Sequence, residues 1–422
     1  MDFFDDREAL ARARHRAESI SLDEIDVSNA DLFVNDTQGP YFARLRREAP
    51  VHFCKESHHG SYWSLTRFDD IKRVDADHER FSSDTNITLS DQYENFTMPM
   101  FIAMDPPKHD VQRKAVTPVV APRNLAKLEG TIRERACRIL DSLPIGETFD
   151  WVDRVSIELT TQMLATILDF PFEERRKLTH WSDVFSGGTI SGAARSREHR
   201  EQELLACLER FTALWHRKAS EPPGEDLISM LAHGEDTHDM VTRPMEYLGN
   251  VMLLVVGGND TTRNSISGGV LALNRYPSEH EKLRENPALI PNMVAEIIRW
   301  QTPLAHMRRT ARDDIEIRGQ RIKKGEKVVM WYISGNRDDS AFAEPERLII
   351  DRPNARSHVS FGYGIHRCMG NRLAEMQLRV IWEEILPRFR EIEVVGEPVR
   401  IRSNVIHGYR QLPVRLHAHR AH

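Results

Sequence analysis

Apolar residues recur at three- and four-residue intervals through most of the stretch from Lys108 to about Arg299, which predicts a run of helices. Arg243 to Tyr276 is the longest helical candidate, about 45–50 Å at 1.5 Å per residue. Elsewhere the period shortens. Ser61 to Thr66 alternates as a strand does. Asp313 to Met330 carries the β-branched residues Ile315, Ile317, Ile322, Val328 and Val329 between turns at Gly319 and Gly325. Asp69 to Asp77 reads as a helix, and Asp105-Pro106-Pro107 opens another that Pro118 and Pro122 stop. Ser83 to Met104, rich in Asn, Thr, Ser and Met, has no period and predicts a long loop, a kind of segment that is often functional in a compact domain. The chain after Met330 reads as irregular until a helix from Met369 to about Leu386. These elements predict a fold that is mainly α with a minor β portion. No repeat or low-complexity linker interrupts it, so 1–422 reads as a single domain. Its first segment, 1–35, is poorly constrained, and its end, 417–422, is expected to be a flexible tail.

Composition narrows the function classes. With 422 residues, 40% of them hydrophobic, the chain can bury a large core. A formal net charge of −6 argues against a general nucleic-acid binder. The N-terminus is charged throughout and the apolar run Val251–Val256 is far too short to span a bilayer, so neither a signal peptide nor a membrane span is expected. The four cysteines, Cys54, Cys137, Cys207 and Cys368, form no C-x-x-C pair. That excludes a cysteine zinc cluster, makes a disulfide framework unexpected, and fits a reducing, cytoplasmic setting.

Two places break the local rules. The first is Gly257-Gly258-Asn259-Asp260-Thr261-Thr262, in the middle of the longest helix. Each glycine costs roughly 1 kcal/mol against alanine in a helix interior, and an unpaired carboxylate in an apolar helix is costly. The segment is either a helix break or close helix contact, or a groove where a small molecule meets the backbone beside a protic pair. Leu253, Val256, Gly257 and Thr261 share one face. The second is Ser360-Phe361-Gly362-Tyr363-Gly364-Ile365-His366-Arg367-Cys368-Met369-Gly370. Its glycines allow close approach to a flat ligand, and the helix that follows Cys368 directs N–H groups at the sulfur, favouring thiolate. A structural cysteine leaves the glycines unexplained, and no triad pattern supports a cysteine nucleophile. A thiolate metal ligand fits best.

Phe361-x-x-Gly364-x-His366-x-Cys368-x-Gly370 resembles the heme-binding signature of the cytochrome P-450 superfamily, and the resemblance extends from about Pro40 to Leu416. It implies the fold of that family, with a long central helix over the heme and a cysteine-ligand loop beneath it, and Cys368 as the axial ligand of heme b. The helix centre resembles the family's oxygen-activation motif, which implies a proton relay through Asp260 and Thr261. Asp105-Pro106-Pro107-Lys108-His109-x-x-x-Arg113 resembles another family segment. By that likeness His109, Arg113, Arg309 and His366 bind heme propionates. Glu296-x-x-Arg299 and Pro345-Glu346-Arg347-Leu348 resemble a structural network that joins Glu296, Arg299 and Arg347.

The activity so implied is a monooxygenase that takes O2, with electrons from NAD(P)H delivered by a separate ferredoxin and ferredoxin reductase. Lys108, Arg113, Lys114, Arg367 and Arg372 are the expected docking cations. The wording of the motifs is similar to the bacterial terminal-alkane and fatty-acid ω-hydroxylase branch. Met98, Met100, Phe101, Ile102, Leu253, Val256, Gly257, Leu304 and Ile406 are the candidate pocket for a small hydrophobic substrate. A terpenoid is the alternative substrate, and a heme-thiolate sensor the alternative class, which the intact Asp260-Thr261 pair argues against.

Overall fold

The computed structural model describes residues 7–84, 86–92, 94–189 and 191–419. Its axis is the helix Pro244–Arg275, unbroken across both central glycines. Pro244 lies in the first turn, where a missing N–H is tolerated. Pro277 opens the next helix, Pro277–Glu285. Five helices pack on this axis: Glu158–Leu168, Arg176–Ser186, Arg197–Ser220, Ile290–Gln301 and Asn371–Arg388. The two ends of the central helix sit in different apolar cores. Val251, Met252 and Val255 pack with Leu164, Phe211 and Trp215. Ile266, Val270 and Leu271 pack with Ile297, Leu378 and Trp382. Each such fully buried side chain contributes roughly 1.5–3 kcal/mol, so both ends are anchored and the polar middle is held at a fixed height between them.

A five-stranded sheet stands beside the helices, in the order Val51–Cys54, Tyr62–Leu65, Lys327–Met330, Met307–Ala311 and Phe81–Ser82. Lys327–Met330 is parallel to Tyr62–Leu65 and antiparallel to Met307–Ala311. Its residues alternate between two cores: Val328 and Met330 enter one, Val329 the other. That is why the strand reads as continuously apolar.

The chain ends are ordered further than expected, and one proline acts differently. In the segment read as poorly constrained, Arg7–Ser19 and Ala30–Val34 are helices, and Ala13, Ala17, Ile25, Val27 and Phe33 bury in the core that holds Val329 and Trp331. Only 1–6 lie outside the described residues. Pro413–Ala418 is the middle strand of a three-stranded sheet, between Thr148–Asp150 and Phe389–Val394. His417 is therefore a strand residue 2.7 Å from Glu393 rather than part of a tail, while 420–422 lie outside the described residues. Pro122 begins the helix Pro122–Asp141 as well as closing the turn before it.

The polar network beneath the helices also differs from expectation. Glu296 is fully buried and receives Arg299 through two contacts of 2.7 and 2.8 Å. The second guanidinium on this carboxylate belongs to Arg352, at 3.0 and 3.1 Å. Arg347 is not a side-chain member. It pairs with Glu344 at the surface and offers the network only its carbonyl oxygen, which accepts from Arg299 at 2.8 Å. Burial decides between the two: a carboxylate with no solvent needs both its oxygens satisfied inside, and Arg352 is 3% exposed. We expect Arg352→Met to lower the unfolding free energy by about 3–5 kcal/mol and Arg347→Met by less than about 0.5 kcal/mol, measured by urea unfolding. Equal losses would return Arg347 to the network.

Candidate active site

One cavity of about 930 Å3 lies between the middle of the central helix and the cysteine loop. Met98, Met100, Phe101 and Ile102 reach it from the long loop, Leu253, Val256, Gly257 and Thr261 from the helix, and Leu304 and Ile406 from two segments joined by an antiparallel bridge. The sequence-based pocket residues are thus brought to one wall system.

The two helix glycines do different things. A Cβ on Gly257 would meet nothing within 4 Å, so this position opens onto the cavity. A Cβ on Gly258 would stand 3.0 Å from Leu164, so this one admits a neighbouring helix. The motif is not a helix break: Gly258 makes a close helix contact and Gly257 leaves the backbone open to the cavity. Thr261 faces the cavity and its hydroxyl donates to the Gly257 carbonyl at 3.2 Å.

Asp260 points elsewhere. Its carboxylate is fully buried against the helix Arg176–Ser186, accepting from Ser182 at 2.9 Å, Ser186 at 3.0 Å and Asn259 at 3.1 Å. Arg263 lies 3.2 Å away and also pairs with Asp183 at 2.9 Å. Burial outweighs the Arg263 charge and pushes the Asp260 carboxyl above its ordinary range. Asp260 does not line the cavity, but Ser186, whose hydroxyl is bonded to it, does. Ser182, Ser186 and Arg263 carried no sequence signal, because their role depends on which helix lies alongside.

The cysteine loop is fixed from behind. Ser360 donates to the Ile298 carbonyl at 2.8 Å and accepts from Asn336 at 2.8 Å, and the Cys368 N–H donates to the Phe361 carbonyl at 2.8 Å. Gly364 has φ +70°, and a Cβ there would stand 2.5 Å from the Asp75 carbonyl. Only glycine fits. Phe361, Cys368 and Gly370 line the cavity. Cys368 lies deep in the protein, yet its surface is open because it faces that space. Burial raises the thiol above its ordinary value, against the Gly370 and Asn371 N–H groups and the Arg113 and Arg367 charges. Those N–H groups and charges act in the direction that favours thiolate, and ligation to a metal would add to them.

Around the loop lie polar atoms with no partner among the described residues. His366 lines the cavity with both ring nitrogens free, and burial beside Arg309 lowers it to about 2. His109 sets its ring 4.3 Å from that of His366. Its Nδ1 is 2.7 Å from Asp110, and its buried Nε2 is free. His109 itself does not line the cavity. Arg113 and Arg309 do. Arg113 donates to the Arg367 carbonyl at 2.5 Å, and Arg309 to Asp75 at 2.6 Å. Asp75, buried and also bonded to Tyr332 and the Tyr363 N–H, is a residue the sequence reading missed.

This donor set fits an anionic, flat metal group. No three His, Cys, Asp or Glu side chains among the described residues could share one metal ion, so a metal at Cys368 must bring its other ligands with it. The free imidazole nitrogens and two guanidinium groups suit carboxylates on such a group, and an incoming carboxylate would favour the imidazolium forms. A flat group fits under the open Gly257 face. The class is a thiolate-ligated metallocofactor site roofed by a helix.

Comparison with known proteins names the family. Residues 132–404 match the cytochrome P450 family. Linalool 8-monooxygenase of Pseudomonas putida is 37% identical, over 94% of this chain and 99% of the relative. The methyl-branched lipid omega-hydroxylase of Mycobacterium tuberculosis H37Rv is 33% identical, over 94% of this chain and 95% of the relative. The structure of CYP153D17 from Sphingomonas sp. PAMC 26605 superposes with a TM-score of 0.88 at 48% identity, covering 94% of this chain and all of that one. The chain belongs to the cytochrome P450 family and is a P450 monooxygenase. Its chemistry therefore rests on heme iron, O2 and electrons from a redox partner. No helix among the described residues is long and apolar enough to cross a membrane.

Proposed function

We propose that this enzyme inserts one oxygen atom of O2 into the terminal C–H bond of a medium-chain alkane or fatty acid. The observation that carries this reading is the apolar wall of Met98, Met100, Phe101, Leu253, Val256, Leu304 and Ile406 leading to the open helix face at Gly257. Methionines suit a flexible chain. The similarity to an omega-hydroxylase supports it. The similarity to linalool 8-monooxygenase favours a second reading, a compact terpenoid substrate.

The cofactor in this reading is heme b, ligated by Cys368, with His109, Arg113, Arg309 and His366 on its propionates and Phe361, Gly364 and Gly370 shaping the loop. When bound, it would supply the iron at which O2, two electrons and two protons yield water and one oxygen atom for the substrate, with thiolate ligation favouring O–O cleavage. The residues of this chain handle the protons. Thr261 presents a hydroxyl at the cavity face, and Asp260 supplies protons by way of Ser186. The raised carboxyl holds a proton more readily than an ordinary aspartate, as a donor requires. NAD(P)H provides the electrons through a ferredoxin reductase and a ferredoxin, in a reducing cytoplasm that suits the four free thiols.

The docking cations narrow from five to three. Lys108 is neutralised by Glu246 at 2.9 Å, and Arg113 faces the cavity. Lys114, Arg367 and Arg372 are exposed around the cysteine loop, with no ion pair among the described residues. These three are the proposed contact for an acidic ferredoxin.

Titrating the ferric protein with linear alkanes, fatty acids and linalool while recording the Soret band tests the substrate. A low-to-high-spin shift confined to linear chains is expected. A shift with linalool alone replaces the substrate class, and no Soret band after heme reconstitution overturns the cofactor reading. Thr261→Ala and Asp260→Asn should each lower product formed per NADH consumed by about tenfold, less than the roughly hundredfold or more by which general acid–base groups affect rate. Unchanged coupling in both removes the relay. Lys114→Glu and Arg372→Glu should raise the apparent ferredoxin KM by about fivefold at low salt and less at high salt. Salt-independent, wild-type values in both would discard the docking face.

A further inference from the structure

The long loop is fastened to the central helix by more than apolar contact. Gly249, two turns before Gly257, lies directly against the loop backbone: a Cβ there would stand 2.2 Å from the Pro99 carbonyl oxygen and 3.1 Å from the Met98 carbonyl carbon. No side chain fits. The next residue, Asn250, is 1% exposed and its Oδ1 accepts from the Phe101 N–H at 2.9 Å. Its Nδ2 donates to Gln112 Oε1 at 2.9 Å, and Gln112 in turn donates to Glu246 at 2.8 Å. Lys108 closes the set on Glu246. Every polar group in this chain of contacts has a partner, and together they tie three pieces of the active site. Those pieces are the loop that supplies Met98, Met100, Phe101 and Ile102, the helix Lys108–Val116 that carries His109 and Arg113, and the central helix.

A buried polar chain of this kind fixes geometry where apolar packing alone tolerates sliding. The loop side chains here are methionine, phenylalanine and isoleucine, which can repack without large loss. The backbone bond at Phe101 and the glycine contact at Gly249 are directional and have no such freedom. Asn250 lies one turn before Leu253 and Leu254, both in the cavity wall, and about 16 Å along the axis from Thr261. The clamp therefore sets the distance and rotation between the loop wall and the helix wall, the two surfaces that decide which carbon of a substrate stands opposite Thr261.

We propose that Gly249 and Asn250 are specificity-determining positioning residues: they lock the loop 98–102 onto the central helix and so select the carbon that is hydroxylated. This rests on the monooxygenase assignment and deepens the substrate reading, without depending on which carbon is preferred.

The test uses the heme-loaded full chain with a surrogate ferredoxin and reductase. The probe is whichever of n-octane or linalool the wild type converts. Gly249→Ala and Asn250→Ala are compared with wild type for regioisomer ratio, substrate-induced spin shift and melting temperature, at matched heme content. The ratio of the preferred to the next alcohol should fall about threefold or more in both variants, since small misplacements of bound substrate carry effects of this size. Glu246→Gln, which keeps an acceptor for Gln112 and weakens only the far end of the chain, should shift the ratio in the same direction by less. It carries the test alone if the other two variants do not retain heme. Lowered melting temperature with an unchanged ratio would overturn the proposal and leave the clamp a structural tie. A wild type that prefers a non-terminal carbon would sink the terminal-hydroxylase reading and leave this comparison intact.

Discussion

The buried Glu296 carboxylate is the constraint on which the site depends. It has no solvent and so must be satisfied by protein, and it is met from two directions by Arg299 on its own helix and Arg352 on the segment that leads to the cysteine loop. Arg299 also reaches the carbonyl oxygens of Asn336, Pro345 and Arg347, and Arg352 those of Ala343, Glu344 and Arg347. Asn336 then holds Ser360 and the Val359 N–H. Charge burial at one point is thereby converted into a fixed path for the backbone from 336 to 368. Replacing one partner would leave an uncompensated charge, which is why such a network tolerates little change.

A second consequence concerns where the polar groups of the central helix point. The helix is gripped at both ends by apolar cores, so its middle can carry glycines and a carboxylate without unwinding. One face is open at Gly257 and protic at Thr261. The face toward Arg176–Ser186 buries Asp260 among hydroxyls and a guanidinium. The carboxylate of this helix is held in a buried, hydrogen-bonded place, and toward the cavity the middle of the helix presents Gly257 and the Thr261 hydroxyl. The arrangement keeps a titratable carboxyl close to the reaction space without exposing an anion to an apolar substrate.

The clamp at Gly249 and Asn250 belongs to the same economy of parts. A loop of methionines and asparagines has little intrinsic structure, and apolar contacts would leave several positions of similar energy. Two backbone-directed contacts remove that freedom. The loop can then present apolar side chains at fixed distances while remaining chemically simple.

How much of this was legible beforehand follows from the range of each interaction. Local patterns determined the central helix, the strand 62–65, the helix 68–76 and the loop to 104, because hydrophobic period and proline placement act over a few residues. The cysteine segment was legible from its glycines and carried the family with it. The burial of the helices near the N-terminus was not legible, because their apolar residues find their partners only in the core around Trp331. The final strand was missed because its partners are remote in sequence. Arg347 was placed in the network by the resemblance of Pro345-Glu346-Arg347-Leu348 to a family motif, and only burial shows that Arg352 supplies the side chain. Sequence alone determined the central helix, the cysteine loop and the family. The tertiary structure decided which side chains face the cavity and which carboxylate is held away from it, because desolvation and the pairing of buried charges depend on neighbours that the chain order does not display.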